Sequence, residues 1–118
     1  MEAKFVLVEI DGVQYPVCFN STALEHVEIY TGKPVGEVLM SADGNIGLNI
    51  TLGWIGLVHG YRVSGEKEKS EALTRIDFSD QFRADQINLF ISALAKFMPS
   101  QPKDDGQKKT IPKATKNR

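Results

Sequence analysis

The chain has 118 residues, 42% of them hydrophobic and 25% charged, with a single cysteine. That length suits one domain with a modest core, and a lone Cys18 excludes an internal disulfide framework and any multi-cysteine zinc site. The longest apolar stretch, 46–58, is interrupted by Asn49, Thr51 and three glycines, so no membrane span is expected. The opening Met-Glu-Ala-Lys lacks the basic start and apolar run of a secretory signal, which points to the cytosol.

The net charge of −1 conceals an asymmetry. Residues 99–118 carry six basic groups and two acidic ones, giving +4, while 1–98 carry 8 basic and 13 acidic residues, giving −5. An acidic globule over 1–98 followed by a basic tail over 99–118 is the expected organisation. The tail is made of Gln, Lys, Asp, Pro and Thr with Ile111 as its one large apolar residue. It has too little apolar surface to offset the entropy of ordering and is expected to be disordered.

In chain order, 4–19 reads as a β-hairpin around Asp11-Gly12, a dipeptide that takes the positive φ angles of a type I′ turn. A two-residue loop pairs Ile10 with Val13, Val8 with Tyr15 and Val6 with Val17 on one apolar face. On the other, mixed face Glu9 meets Gln14, Leu7 meets Pro16 and Phe5 meets Cys18. Pro16 falls at a non-hydrogen-bonded pair, where its missing N–H points outward, so the second strand is expected to end the sheet as an unpaired edge. A short helix follows, with a Thr22/Glu25 capping box, Ala23, Val27 and Tyr30 at helical spacing, and Gly32 as its left-handed cap. Pro34 opens another helix through Met40, closed by a turn at 41–44.

The segment 45–61 supports two readings. Ile46, Leu48, Ile50, Leu52 and Trp54 alternate like a strand, whereas Leu52, Ile55, Val58 and His59 fit a helix. In that helix Gly53, Gly56 and Gly60 form a smooth stripe for close approach, within the fold or to a partner, at about 1 kcal/mol per glycine in propensity. Residues 62–74 read as a solvated charged connection. The last element is a helix capped by Ser79 or Asp80 and stopped by Pro99, with Ile87, Phe90, Ile91, Leu94 and Phe97 as its apolar stripe and Phe82 extending it backward. The fold class is therefore α+β: an N-terminal hairpin packed on a small, mostly helical domain of about four helices.

Catalytic material is sparse. His26 and His59 read as two partly exposed helix histidines, because neither has a second ligand at metal spacing. Cys18 reads as a small apolar filler with no adjacent base. The glycines match neither a phosphate-binding loop nor a dinucleotide fingerprint. The basic tail has no aromatic residue for base stacking and follows an acidic body, which disfavours nucleic acid. Neither an enzyme nor a cofactor-binding protein is expected. Trp54, Tyr61 and Phe82 are ordinary core candidates that become interface anchors only if exposed.

The order of features resembles the phage tail assembly chaperones, small proteins of long-tailed phages with relatives in gene transfer agents. The resemblance is carried by Ile10-Asp11-Gly12-Val13-Gln14-Tyr15-Pro16, then Phe19, Leu24-Glu25, Glu28 and Thr31-Gly32-Lys33. It continues through Val35-Gly36-Glu37-Val38-Leu39 and the stretch Leu52-Gly53-Trp54-Ile55-Gly56-Leu57-Val58-His59-Gly60. It covers about residues 4–61 and is loose over 62–98. The resemblance implies a helical domain preceded by a hairpin, with 48–61 helical, and no catalysis, metal or cofactor. It implies binding of the tape-measure protein, recruitment of tail-tube subunits, a possible homo-oligomer, and a cytoplasmic role in the host without incorporation in the mature virion. In many members a ribosomal frameshift yields a longer product, for which Lys108-Lys109 is a candidate site.

A chaperone of a long helical client needs apolar strips that cover it reversibly. The candidate partner-binding residues are Trp54, Tyr61, Phe82, Phe90, Leu94 and Phe97, with Lys108 and Lys109 of the basic tail meeting an acidic partner. The competing readings are a small nucleic-acid-associated regulator that uses that tail and, behind it, a small enzyme using His26, His59 or Cys18, which needs at least two of these to meet in one pocket.

Overall fold

Asp11 (φ 52°) and Gly12 (φ 83°) both adopt positive φ, the type I′ geometry that lets two twisted strands join through two residues. They connect β1 (Val6–Ile10) to β2 (Val13–Val17) in a two-stranded antiparallel sheet. The register is Val6 with Val17, Leu7 with Pro16, Val8 with Tyr15, Glu9 with Gln14 and Ile10 with Val13, as the turn dictates. The computed structural model describes residues 4–98. Six helices follow the hairpin among these residues: α1 (Ser21–Thr31), α2 (Val35–Ser41), α3 (Ile46–Val63), α4 (Lys67–Ala72), α5 (Arg75–Gln81) and α6 (Ala84–Ser92), with a closing 3-10 turn at Ala93–Lys96. The expected tail, 99–118, lies outside the described residues.

The ambiguous segment is helical from Ile46 onward. Asn45 caps α3 by accepting the Leu48 N–H at 3.1 Å, and the helix runs through the centre of the molecule. The 3.6-residue signal is weak in its sequence because the helix is buried on several sides at once. Leu52 and Ile55 pack with Ala23, Val27, Val38 and Ala42 of α1 and α2, while Leu57 packs with the hairpin and the C-terminal helices. The three glycines are spent inside the fold. A Cβ on Gly53 would meet Phe78 Cζ at 2.7 Å, and one on Gly56 would meet Phe19 Cζ at 2.5 Å. A Cβ on Gly60 would overlap the Pro16 backbone carbonyl. The outer edge of β2 is thus covered by a helix and not left open: the Cys18 N–H donates to Gly56 O at 3.0 Å, and Pro16, with no N–H to satisfy, lies flat against Gly60.

Three local expectations are corrected. The first helix is capped by Asn20, whose side chain accepts the Ala23 N–H at 3.0 Å, and not by a Thr22/Glu25 box. An Asn with extended backbone one residue before the helix is an equally good cap and lets α1 begin at Ser21. The charged connection contains α4, whose exposed Lys67–Glu71 and Glu66–Lys69 pairs support one and a half turns. Its single buried group, Ser70, donates to Val58 O at 2.8 Å and fastens α4 to α3. The last helix is broken in two. Ser79 lies inside α5, which Thr74 caps through the Asp77 N–H. Phe82 and Arg83 are extended, and α6 restarts with the Gln86 side chain accepting the Arg83 N–H at 2.9 Å. The break turns Phe78 and Phe82 toward Phe90, so that the three rings stack within 4.9 to 5.2 Å of one another.

Candidate functional site

The candidate anchors divide by burial. Phe82, Phe90 and Leu94 belong to the core, where Tyr15 of the hairpin sits edge-on to Phe82 at 5.2 Å and to Phe90 at 5.8 Å. The stripe of α6 packs against the hairpin and α3, and these three residues are buried there. Phe97 is half-buried against Phe19 at 6.4 Å. Tyr61 is half-buried under Lys69, whose Nζ lies 5.6 Å from the ring centre. Trp54 is half-buried, donates from Nε1 to Leu73 O at 3.1 Å, and takes Tyr30 edge-on at 5.4 Å. Lys108 and Lys109 lie outside the described residues.

The structure exposes other apolar side chains. Met40 of α2 is 86% exposed and Ile29 of α1 is 74% exposed, with Tyr30 beside it at 51%. Val35 of α2 is tied to α1 through its N–H, which donates to Glu28 Oε2 at 2.7 Å. The signal for Ile29 is present in the sequence: it shares a helix face with Thr22 and Glu25, off the Ala23–Val27 stripe. Met40 likewise follows Gly36 and Glu37 at i+4 and i+3. Tyr30, placed by spacing with the buried stripe, lies at its rim.

His26 and His59, thirty-three positions apart, meet with Nδ1 of His26 3.0 Å from Nε2 of His59. Arg62 Nε donates to His59 Nδ1 at 3.0 Å. A guanidinium has no lone pair to offer, so His59 Nδ1 must accept, the His59 proton resides on Nε2, and Nε2–H donates to His26 Nδ1. The reading of two partly exposed histidines holds for His26 alone, since His59 is buried. Burial, then the Arg62 charge, then His26 lower the His59 pKa to about 4, and burial lowers that of His26. Both rings are neutral near pH 7, and the ring lone pairs on His59 Nδ1 and His26 Nδ1 are both occupied. The cluster therefore presents an N–H at His26 Nε2 and no base. It pins α1 to α3. No group of three His, Cys, Asp or Glu side chains gathers at metal distance among the described residues. Burial pushes the Cys18 thiol up, away from the thiolate a nucleophile needs.

Open clefts on the surface include one lined by Ser21, Thr22, Leu24, Glu25 and Glu28 of α1, one by Ala42, Asp43, Ile46, Asn49 and Ile91 among others, and one by 65–69 at the start of α4. None of these three includes an imidazole or the thiol. Among the described residues no helix is long and apolar enough to cross a membrane. Comparison with protein-family models, curated proteins and solved structures gives no match to this chain.

Proposed function

We propose that this protein is a tail assembly chaperone of a long-tailed phage or prophage. In this reading it binds the tape-measure protein in the host cytoplasm, keeps it soluble, helps recruit tail-tube subunits, and stays out of the finished virion. The observation that carries the reading is the exposure of Ile29, Tyr30 and Met40 on the paired helices α1 and α2, inside the span of the ordered sequence resemblance. Large apolar side chains held outward on short helices suit a client that is itself a long amphipathic helix, because each contact is small and reversible and many copies cover a long chain. The same side chains give copies of the chaperone a means to associate with each other. The hairpin contributes position and not contact: it closes the far side of α3, leaving α1 and α2 outermost on theirs.

Co-expression with the tape-measure protein encoded beside it tests this. The client is expected to become soluble and to co-purify with the chaperone. A folded, abundant chaperone beside an insoluble and unbound client overturns the reading. Gene order gives an independent check, since the gene should lie between those of a tail-tube protein and a very long tape-measure protein.

A further inference from the structure

The two strands of the hairpin have unlike outer edges. That of β2 is covered, since the Cys18 N–H donates to Gly56 O at 3.0 Å and Pro16 lies against Gly60. On β1 the two-residue turn makes Ile10–Val13, Val8–Tyr15 and Val6–Val17 the hydrogen-bonded pairs, so the N–H and C=O of Leu7 and Glu9 point away from β2. Among the described residues no further backbone hydrogen bond reaches those groups. Natural edge strands are guarded by a lysine, a proline or a bulge that discourages pairing. Val6–Ile10 has none of these, and Leu7 is 59% exposed. On the opposite face Val6 and Val8 are only half-buried against the core.

We propose that β1 pairs antiparallel with β1 of a second copy, across a two-fold axis at Leu7, to give a four-stranded sheet in the order β2-β1-β1-β2. The edge is self-complementary in that register. Leu7 exchanges both its N–H and its C=O with its counterpart and packs on the same side chain, while Val6 meets Val8 on the other face. Glu9 decides the register. An axis at Val8 would set the two Glu9 carboxylates diagonally, about 7–8 Å apart. An axis at Leu7 sets each Glu9 opposite Phe5 and about 13 Å along the strand from the other Glu9. The second copy supplies an edge of the same length, the same apolar sequence and the same unpaired groups, and its far edge is closed by its own α3, so the assembly ends at two. The pairing does not rest on the chaperone reading. It involves neither α1 nor α2, so where that reading holds each dimer carries two client surfaces.

Sedimentation and amide hydrogen exchange of the full chain test this. Strands of this length make a small, reversible contact, so a dimer is expected to grow in between about 0.01 and 1 mM. Over the same range exchange at Leu7 and Glu9 should slow with concentration, while Val6, Val8 and Ile10, bonded to β2, stay protected throughout. Leu7→Lys and Leu7→Glu should each weaken the dimer about tenfold or more, because like charges then meet at the axis, and mixing the two variants should restore it. Backbone amide spectra report whether each variant is folded; where one is not, exchange in the parent chain decides. A chain that stays monomeric to about 1 mM overturns the proposal. So do Leu7 and Glu9 amides equally protected at every dilution, which mean that the edge is covered within one copy. A Leu7→Lys variant that associates as well as the parent, or a mixture no stronger than either variant alone, overturns it too. Association lost with Ile29→Lys and Met40→Lys, and kept with Leu7→Lys, moves the contact to the helices and overturns it as well.

Discussion

Gly60 and His59 are consecutive in the chain and show how α3 is bound on two sides. Gly60 brings the helix axis against the backbone of β2, where its neighbour is the Pro16 carbonyl. A side chain can rotate away from an added methyl, but a backbone carbonyl fixed by the hairpin cannot. Gly60→Ala is therefore expected to cost about 3 kcal/mol or to prevent folding, measured by denaturant unfolding. A loss under about 1 kcal/mol would show that the strand can shift. His59 faces the other way and carries a pH dependence. Its pKa is lowered from the ordinary 6.5 to about 4 in the folded chain, so between these values the unfolded chain binds more protons. Stability is full above the unfolded value and declines as the pH falls toward the folded one, by about 3 kcal/mol at most. His26, lowered in the same direction, acts with it. The expected outcome is a midpoint of urea unfolding that drops from neutral pH toward acid, with a flatter profile for His59→Gln. Parallel profiles would assign the acid sensitivity to carboxylates instead.

At the scale of elements, caps and breaks decide where helices lie. Asn45 starts α3 in a sequence whose alternation fits a strand equally well, and Asn45→Ala is expected to destabilise by about 1 kcal/mol. The test is the unfolding midpoint, with Asn45→Asp retaining most of the stability because a carboxylate also caps. The break at Phe82–Arg83 decides the fate of the last apolar stripe. Phe90 is fully buried between Phe78 and Phe82, whereas Leu89 next to it is 47% exposed. Phe90→Ala should cost about 3–5 kcal/mol, and Leu89→Ala should stay within about 0.5 kcal/mol. Comparable losses at both positions would contradict the packing of α6. The hairpin is the element that makes this stripe internal, because Tyr15 and Ile10 fill the space a partner would otherwise occupy.

At the scale of the whole molecule, the described residues form two apolar centres, one between the hairpin and the C-terminal helices and one between α1, α2 and the middle of α3, with Trp54 packed against both. Large apolar side chains remain outside on α1 and α2. If this surface holds the client, Ile29→Lys together with Met40→Lys leaves stability within about 0.5 kcal/mol of the parent, as exposed substitutions do. The same pair removes most of the soluble client in the co-expression experiment. A double variant that unfolds normally and still solubilises the client would move the binding surface elsewhere.

The hairpin, its register and turn were determined by local sequence alone, because a two-residue turn with two positive φ angles fixes every pair in strands of period two. The Gly32 cap of α1 and the two buried positions Ala23 and Val27 were equally local, since a left-handed cap and an i,i+4 pair need only one helix to define them. The N-terminal cap of α1 and the boundaries of α4, α5 and α6 were not, because the choice between Asn20 and Thr22 as cap, or between helix and coil for a six-residue charged segment, involves energies that packing readily outweighs. Residue spacing left 45–61 open between strand and helix and tertiary structure shows the helix from Ile46, since a segment enclosed on several sides has no polar face to reveal its period. It also chose which apolar residues are left over: spacing shows that Phe90 and Leu94 form a stripe, but not that a hairpin covers it, nor that Ile29 and Met40 stay exposed among the described residues. The meeting of His26 with His59 belongs to the same class, because contact between positions thirty-three residues apart depends on where α1 crosses α3, and no local pattern encodes that crossing.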